Sequence, residues 1–298
     1  MREQVQQIWR GMPWFDPVGR FSPLKLAIFL LACLPACWMA SEFASGRWDF
    51  PSPYIGLIYH SGLWSTYLLL MSLLVTPLRR ILLWGRLAQL RRMLGVASFL
   101  YAALHVLAWF GLRYWDWAAL LAELGMRPTL WIATLSTAVL LALTATSVDA
   151  VMRRMGGSGW KRLHRLVYLA ALLAVLHFLM SPGSLQGIPF LMAGAYAWLM
   201  GWRLLEARRL GTSPPALAAL GVASALLALL LQPLWLVTVQ AERNSQSPWQ
   251  AISDNINADI WIYLGPPPVW TLLGWTLVTV TIALLRHGQT LPQTISRH

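Results

Sequence analysis

Charge is scarce in this sequence. Only 11% of its 298 residues are Asp, Glu, Lys or Arg, while 57% are hydrophobic, and mean hydropathy is +0.56. Soluble domains carry about a quarter charged residues, so a soluble globular protein is excluded. Several runs pass twenty residues without a charge, which is the length a helix needs to cross a bilayer. These runs do not alternate polar with apolar residues, so a membrane β-barrel is excluded too. Cysteine is nearly absent. Cys33 and Cys37 sit one helical turn apart in the first apolar run. Two such thiols make neither a disulfide framework nor a zinc site, and no C-x-x-C-H is present for covalent haem. They read as small apolar residues of a span. There is no G-x-G-x-x-G opening a helix and no Walker motif, so the chain shows no pyridine-nucleotide site of its own. No internal repeat is visible.

What is present reads as an all-α, polytopic membrane helical bundle. Eight spans are expected, at about 24–41, 55–76, 93–112, 128–148, 163–180, 187–203, 214–239 and 268–286. The break between the fifth and sixth falls at "SPGSLQGIP", a cluster typical of a tight turn. The first run follows more than twenty residues rich in Trp and Arg. It reads as an uncleaved span, although "MASEFAS" offers a cleavage site.

The net charge of +12 would suggest nucleic acid on a soluble surface. Here its distribution matters instead. With eight spans, 19 of the 23 basic residues fall on one side, including Arg79, Arg80, Arg86, Arg91, Arg92, Arg153, Arg154, Lys161, Arg162 and Arg165. Arg47, Arg113, Arg127 and Arg243 fall on the other. The positive-inside rule then puts both termini in the cytoplasm. Many of the 18 tryptophans lie near span ends, as an interfacial belt requires. The longest loop, about 240–267, is outside and contains "NSQSPWQAISDNINADIW".

Six histidines remain to be explained. His287 and His298 lie in the tail and receive no role. His60, near the outer end of span two, reads as an interfacial hydrogen-bonding residue, with a propionate or a partner protein as other contacts. His105 on span three and His177 on span five both run outward from the basic side. They lie about twelve and fourteen residues along their spans, which is close to the same depth at 1.5 Å per residue. Two imidazoles at one depth on two helices can supply both axial ligands of a haem iron. Taken singly, each would be a polar residue bonded across helices or a step in a proton path. No carboxylate lies deep in a span to partner such a path. Asp149, the nearest, is at a span end.

His164 lies about 20 Å inward of His177, the spacing of two haems stacked across a bilayer. The two side chains are about 140° out of phase on an ideal helix. Either span five is distorted or the two histidines serve different sites. The other reading of His164 is an interfacial side chain among Lys161, Arg162 and Arg165. That basic cluster could also bind haem propionates or a flavin phosphate.

The stretches "LVTPLRR" at 74–80, "RRMLGVASFLYAALHVLAW" at 91–109, "RPTLWIATLSTAVLLALTATS" at 127–147 and "RRMGGSGWKRLHRLVYLAALLAVLHFL" at 153–179 resemble the ferric-reductase-like transmembrane family. Within it, the resemblance is strongest to the haem-binding membrane subunits of MsrQ type, which belong to a periplasmic methionine sulfoxide reductase system. It covers about 25–210, and divides the chain into a segment 1–23, a six-helix haem-binding core 24–210 and an additional two-helix region 211–298 that the family core does not need. The resemblance implies b-type haem at His105, His164 and His177. Two-haem relatives carry a further histidine fourteen residues before the outer one on span three. Arg91 holds that position here, as in MsrQ-type members, so one haem is expected and the second is left open. An inner flavin or haem near His164, Arg91 and Arg162 would take up electrons. The resemblance implies an FMN as a further candidate and a cytosolic flavin reductase as donor. A periplasmic molybdopterin reductase of MsrP type is the implied acceptor. No stretch shows an FMN site.

The expected function is therefore a b-type haem electron conduit in the bacterial inner membrane. It would carry electrons from a cytosolic flavin/NAD(P)H reductase or quinol to the periplasmic enzyme. Two other readings stay open at this point. One is a free-standing ferric or cupric reductase. The other is a non-redox transporter or assembly factor with structural histidines. Membrane lipid is an expected partner and nucleic acid is not.

Overall fold

The computed structural model describes residues 12–15, 19–48, 51–181, 187–239, 247, 249–250, 252–253, 257 and 266–289. Its helices are α1 Pro23–Ala44, α2 Pro53–Ile81, a 3₁₀ turn Gly85–Gln89, α3 Leu90–Leu112, α4 Trp117–Met126, α5 Pro128–Ala145, α6 Asp149–His164, α7 Val167–Leu179, α8 Ile188–Ala207, α9 Pro214–Val239 and α10 Pro268–Gln289. Among the described residues the one β-feature is an isolated bridge, Phe15 to Phe21. Eight segments are long and apolar enough to cross a membrane, and they correspond to the eight expected spans. The protein is thus an all-helical, multi-pass membrane protein. The turn at 182–186, most of the 240–267 loop, the basic residues Arg2, Arg10, Arg243 and Arg297, and His298 lie outside the described residues.

Local sequence explains the helix ends. Ser22 caps α1, its hydroxyl accepting from the Lys25 amide at 3.4 Å, and Pro23 opens the first turn. Pro128 opens α5 in the same way. Three helices contain proline: Pro35 in α1, Pro77 in α2 and Pro233 in α9. Membrane helices tolerate this because neighbouring groups re-satisfy the freed backbone. The second span accordingly runs past Pro77 to Ile81 rather than stopping at 76. Leu30, Leu31 and Leu34 are each more than half exposed, which suits a lipid-facing helix and would be anomalous in water.

Two features depart from the expected layout. Span five is not one straight helix. α6 ends at His164 and α7 begins at Val167. Between them Arg165 N donates to Arg162 O at 3.3 Å, and Leu166 N to Leu163 O at 2.9 Å. These i→i+3 bonds tighten the winding locally. Span five therefore contains a distortion between His164 and His177. Gly156, with φ 71° and ψ 155°, breaks α6 a second time in a conformation open mainly to glycine. The other departure is α4, a ten-residue apolar helix too short to cross. Asp116 caps it, accepting from Ala118 N at 2.9 Å and Ala119 N at 3.2 Å. Before it, Tyr114 and Trp115 take left-handed φ of 51° and 62°, so the chain reverses within three residues of α3.

The chain forms two compact units: Met1–Val75 with Arg86–His177, and Thr76–Gly85 with Phe178–His298. In the second, α8, α9 and α10 pack on small residues. A Cβ on Gly194 would meet Leu272, the Ser224 carbonyl and Ala228, and one on Gly221 would collide with Thr276. Buried Ala225, Ala228, Val269 and Leu272 form the core there. Trp202 donates its indole N–H to Gly211 O at 2.8 Å, and Arg80 pairs with Glu206 at 3.2 Å. The histidines of interest all lie in the first unit.

Candidate functional site

The site is built from two antiparallel helix pairs. In the first, α2 meets α3. Ser65 donates its hydroxyl to Ser98 O at 3.0 Å, and Ser98 donates back to Ser65 O at 2.9 Å. Both serines are buried. Two turns further along, the His105 ring nitrogen Nδ1 lies 2.8 Å from Ile58 O. In the second pair α5 meets α7. Ser136 donates to Ala170 O at 2.9 Å, and two turns along His177 Nδ1 lies 3.2 Å from Thr129 O. Both pairs use the same spacing. Seven residues separate Ile58 from Ser65 and Ser98 from His105. Seven also separate Thr129 from Ser136 and Ala170 from His177. Seven residues are nearly two full helical turns, so on each helix the two contacts fall on one face, and in the first pair Ser98 and His105 project together.

The buried serines therefore fix the register in which each imidazole meets its carbonyl. Removing both Ser65 and Ser98 hydroxyls should cost about 1–2 kcal/mol, at roughly 0.6 kcal/mol per inter-helix hydrogen bond in a membrane plus local repacking. Thermal unfolding of Ser65→Ala/Ser98→Ala checks this. A melting point equal to that of the unchanged protein would show that the pair does not hold the helices.

The hydrogen bonds determine ring chemistry. A backbone carbonyl can only accept, so each Nδ1 must carry the proton. In the neutral ring the lone pair is then on Nε2, the nitrogen that ligates metals when Nδ1–H is held by a carbonyl. The His105 and His177 ring centroids are 6.2 Å apart with planes at 84°. With metal–imidazole bonds of about 2 Å and ring half-widths of about 1 Å, two imidazoles trans on one ion place their centroids about 6 Å apart. Crossed planes do not disturb this, since the centroid separation does not depend on the angle between the two ring planes. The residues present therefore fit a group that takes two axial imidazoles. Among the described residues no group of three or more His, Cys, Asp or Glu side chains could enclose a metal alone.

His164 is elsewhere. Its ring stacks on Trp160 at 3.9 Å and 26°, and its Nε2 lies 3.3 Å from Thr146 Oγ1. The Thr146 hydroxyl donates to Ala142 O at 2.7 Å, so its oxygen accepts from His164 Nε2–H. Trp160 Nε1 donates to Thr146 O at 3.1 Å and completes the cluster. Arg91 lies within electrostatic reach of His164. Arg162 is exposed. Arg92 and Asp149 join the starts of α3 and α6 at 2.5 Å. The structure thus brings His105 and His177 together, and gathers His164 with Thr146 and Trp160 in a separate cluster at the arginine-rich end. Cys33 and Cys37 are unpaired. His60 lies between indoles, stacked on Trp48 at 5.3 Å and edge-on to Trp38 at 4.7 Å.

Sequence reasoning missed the supporting groups. Ile58 and Thr129 act through backbone oxygens, which residue type does not reveal. Ser98 could have been found, since a serine seven residues before a histidine in an apolar helix shares its face. Glu123 was also missed. It is buried on α4 and held by Arg113 through both oxygens, at 2.8 and 2.7 Å, and by Arg127 at 3.2 Å. Two of the few arginines on that side of the bundle thereby share one carboxylate.

The family described as "Ferric reductase like transmembrane component" matches residues 61–175. That stretch holds the Ser65–Ser98 and Ser136–Ala170 contacts, His105 and His164, while Ile58 and His177 lie just beyond its two ends. The protein-methionine-sulfoxide reductase heme-binding subunit MsrQ of Azospira oryzae is 36% identical over 214 residues, covering 68% of this chain and 90% of the relative. The chain belongs to the MsrQ family. The subunit of the same name from Rhodospirillum rubrum is 36% identical over 196 residues, 64% of this chain and 93% of the relative. That of Caulobacter vibrioides is 37% identical over 202 residues, 65% and 96%. No solved structure matches. The MsrQ relatives are thus covered almost end to end, while about a third of this chain has no counterpart in them. Family and helices together make it a multi-pass bacterial membrane protein.

Proposed function

We propose that this MsrQ-family protein is a transmembrane electron conduit holding one b-type haem between His105 and His177. The observation that carries the reading is the pair of imidazoles 6.2 Å apart, each tied through Nδ1 to a helix carbonyl. A haem so held supplies a one-electron ferric/ferrous couple. His105 and His177 would both hold the group, and with two histidine ligands it would serve electron transfer rather than oxygen chemistry. The carbonyls raise imidazole basicity and keep each ring from turning.

Positive-inside bias supports cytoplasmic termini and puts α4, Thr129 and His177 near the periplasmic face. Electrons enter at the opposite end, where Arg91, Arg162 and the His164 cluster offer a basic surface for a flavin phosphate such as that of FMN, or for haem propionates. A second haem at His164 would need its Nε2 released from Thr146, so one haem is the working stoichiometry. The donor is a cytosolic flavin reductase or a quinol. The names of the relatives support a methionine sulfoxide reductase as acceptor, in the form of a periplasmic molybdopterin enzyme of MsrP type, with the site in the inner membrane.

The test is spectroscopic. Full-length protein purified in detergent from haem-replete cells should show a Soret band, a b-type pyridine haemochrome and about one haem per chain. Dithionite-reduced protein should be reoxidised by the molybdopterin enzyme with methionine sulfoxide, and more slowly by a ferric chelate. Purified protein without a Soret band ends the reading. Faster oxidation by the chelate replaces the acceptor.

A further inference from the structure

We propose that Gly62 is a positioning residue for the His105 imidazole: its missing side chain is what lets Nδ1 reach the Ile58 carbonyl. The proposal rests on the haem reading above for its functional meaning, but its geometry stands alone. Ile58 and Gly62 are four residues apart, one above the other on the same face of α2. A Cβ built on Gly62 would lie 2.8 Å from His105 Nδ1 and 3.1 Å from its Cε1. The first is closer than side-chain Cβ atoms come and the second is tighter than most such contacts, so something must move.

Nothing nearby can move freely. The obstructing atom belongs to a rigid ring on two torsions, and that atom is the hydrogen-bonding nitrogen itself. Swinging it away from residue 62 breaks the bond to Ile58 or tilts the ring relative to His177. Nor can α2 draw back, because Ser65 and Ser98 bond reciprocally less than one turn beyond Gly62. At the other end of the same seam, the Tyr54 ring occupies the space a Cβ on Gly111 would need. The helices are clamped on both sides of the glycine.

The second imidazole provides an internal comparison. Four residues after Thr129 the chain has Ala133, where the first seat has Gly62. The bond to Thr129 is 3.2 Å, against 2.8 Å to Ile58. The shorter of the two Nδ1 bonds is therefore the one beside the glycine. A shorter Nδ1–H bond makes a more electron-rich ligand, which stabilises the ferric state. Losing it should move the midpoint potential upward and loosen haem.

The experiment is a double-mutant cycle of Gly62→Ala and His105→Ala, with Gly95→Ala as control. Gly95 lies on α3 and a Cβ there meets nothing within 4 Å. Gly62→Ala should lower the melting point, whereas in the His105→Ala background the added methyl should fit the vacated space and cost nothing. With both histidines present, Gly62→Ala should lose haem to apomyoglobin about tenfold faster and show a more positive midpoint. Gly95→Ala should match the unchanged protein in both. If Gly62→Ala alone fails to fold while the double variant folds, the clash is demonstrated directly. Equal destabilisation in both backgrounds, failure of both to fold, or a Gly95→Ala shift as large as that of Gly62→Ala overturns the proposal. The cycle reads ring contact without haem, so absence of a Soret band in the unchanged protein would defeat the proposed function and leave this inference decidable.

Discussion

His177→Ala, and equally His105→Ala, is expected to leave the purified protein almost without Soret absorption. The chain offers no covalent haem attachment, so axial coordination and packing hold the group alone. Removing one imidazole would leave the group with a single histidine of the pair, and it also removes the Nδ1–H bond to Ile58 O or Thr129 O. Removing merely the orienting partner of a metal-bound histidine costs ten- to a hundredfold in affinity, so loss of the ligand itself should exceed that. His164→Ala is expected to behave differently. Its ring contacts Trp160 and Thr146 in a cluster apart from the His105–His177 pair. Haem content should stay near that of the unchanged protein, with a modest loss of stability at the α5–α6 corner. Quantitative haem in His177→Ala, or none in His164→Ala, would assign the ligands differently.

Gly221→Val should produce the largest loss of stability in the second unit. A single Cβ at that position already collides with the Thr276 side chain, and Thr276 is buried with its hydroxyl donating to Leu272 O at 2.7 Å. Valine adds two further methyl groups on a stiff torsion, so α9 and α10 must separate. Overpacking of this kind costs about 1–3 kcal/mol and sometimes more. The neighbouring small residues Gly194, Ala225 and Ala228 depend on the same close approach, so the upper end is expected. A thermal melt of that variant beside Gly274→Ala, where a Cβ meets nothing within 4 Å, separates crowding from helix propensity. Equal melting points for the two would mean that α9 and α10 do not pack through Gly221.

The membrane class, the number of spans and the matched depth of His105 and His177 were legible because each depends on a one-dimensional quantity. Apolar run length decides whether a segment can cross, and residue count times helical rise decides depth. Within span five the same counting left two alternatives open, a distorted helix or two separate sites. Thirteen residues on an ideal helix put His164 and His177 out of phase, but the chain tightens at Arg165 and Leu166, and no composition rule marks that step. The helix α4 was missed because ten mostly apolar residues beside a charged cap resemble loop as much as helix until Glu123 finds Arg113 and Arg127.

From the residues alone it follows that this chain lives in a bilayer and carries two histidines at one height on helices that run the same way. Hydrophobic transfer and helical rise act locally along the chain, so they can be summed from residue types. Whether those imidazoles face one another, which nitrogen each presents and how firmly each is held are matters of rotation about helix axes and of contacts with strands of sequence far away. Ile58, Gly62, Ser65 and Ser98 reach His105 only because α2 and α3 lie antiparallel in one register, and that register is a property of the packed helices.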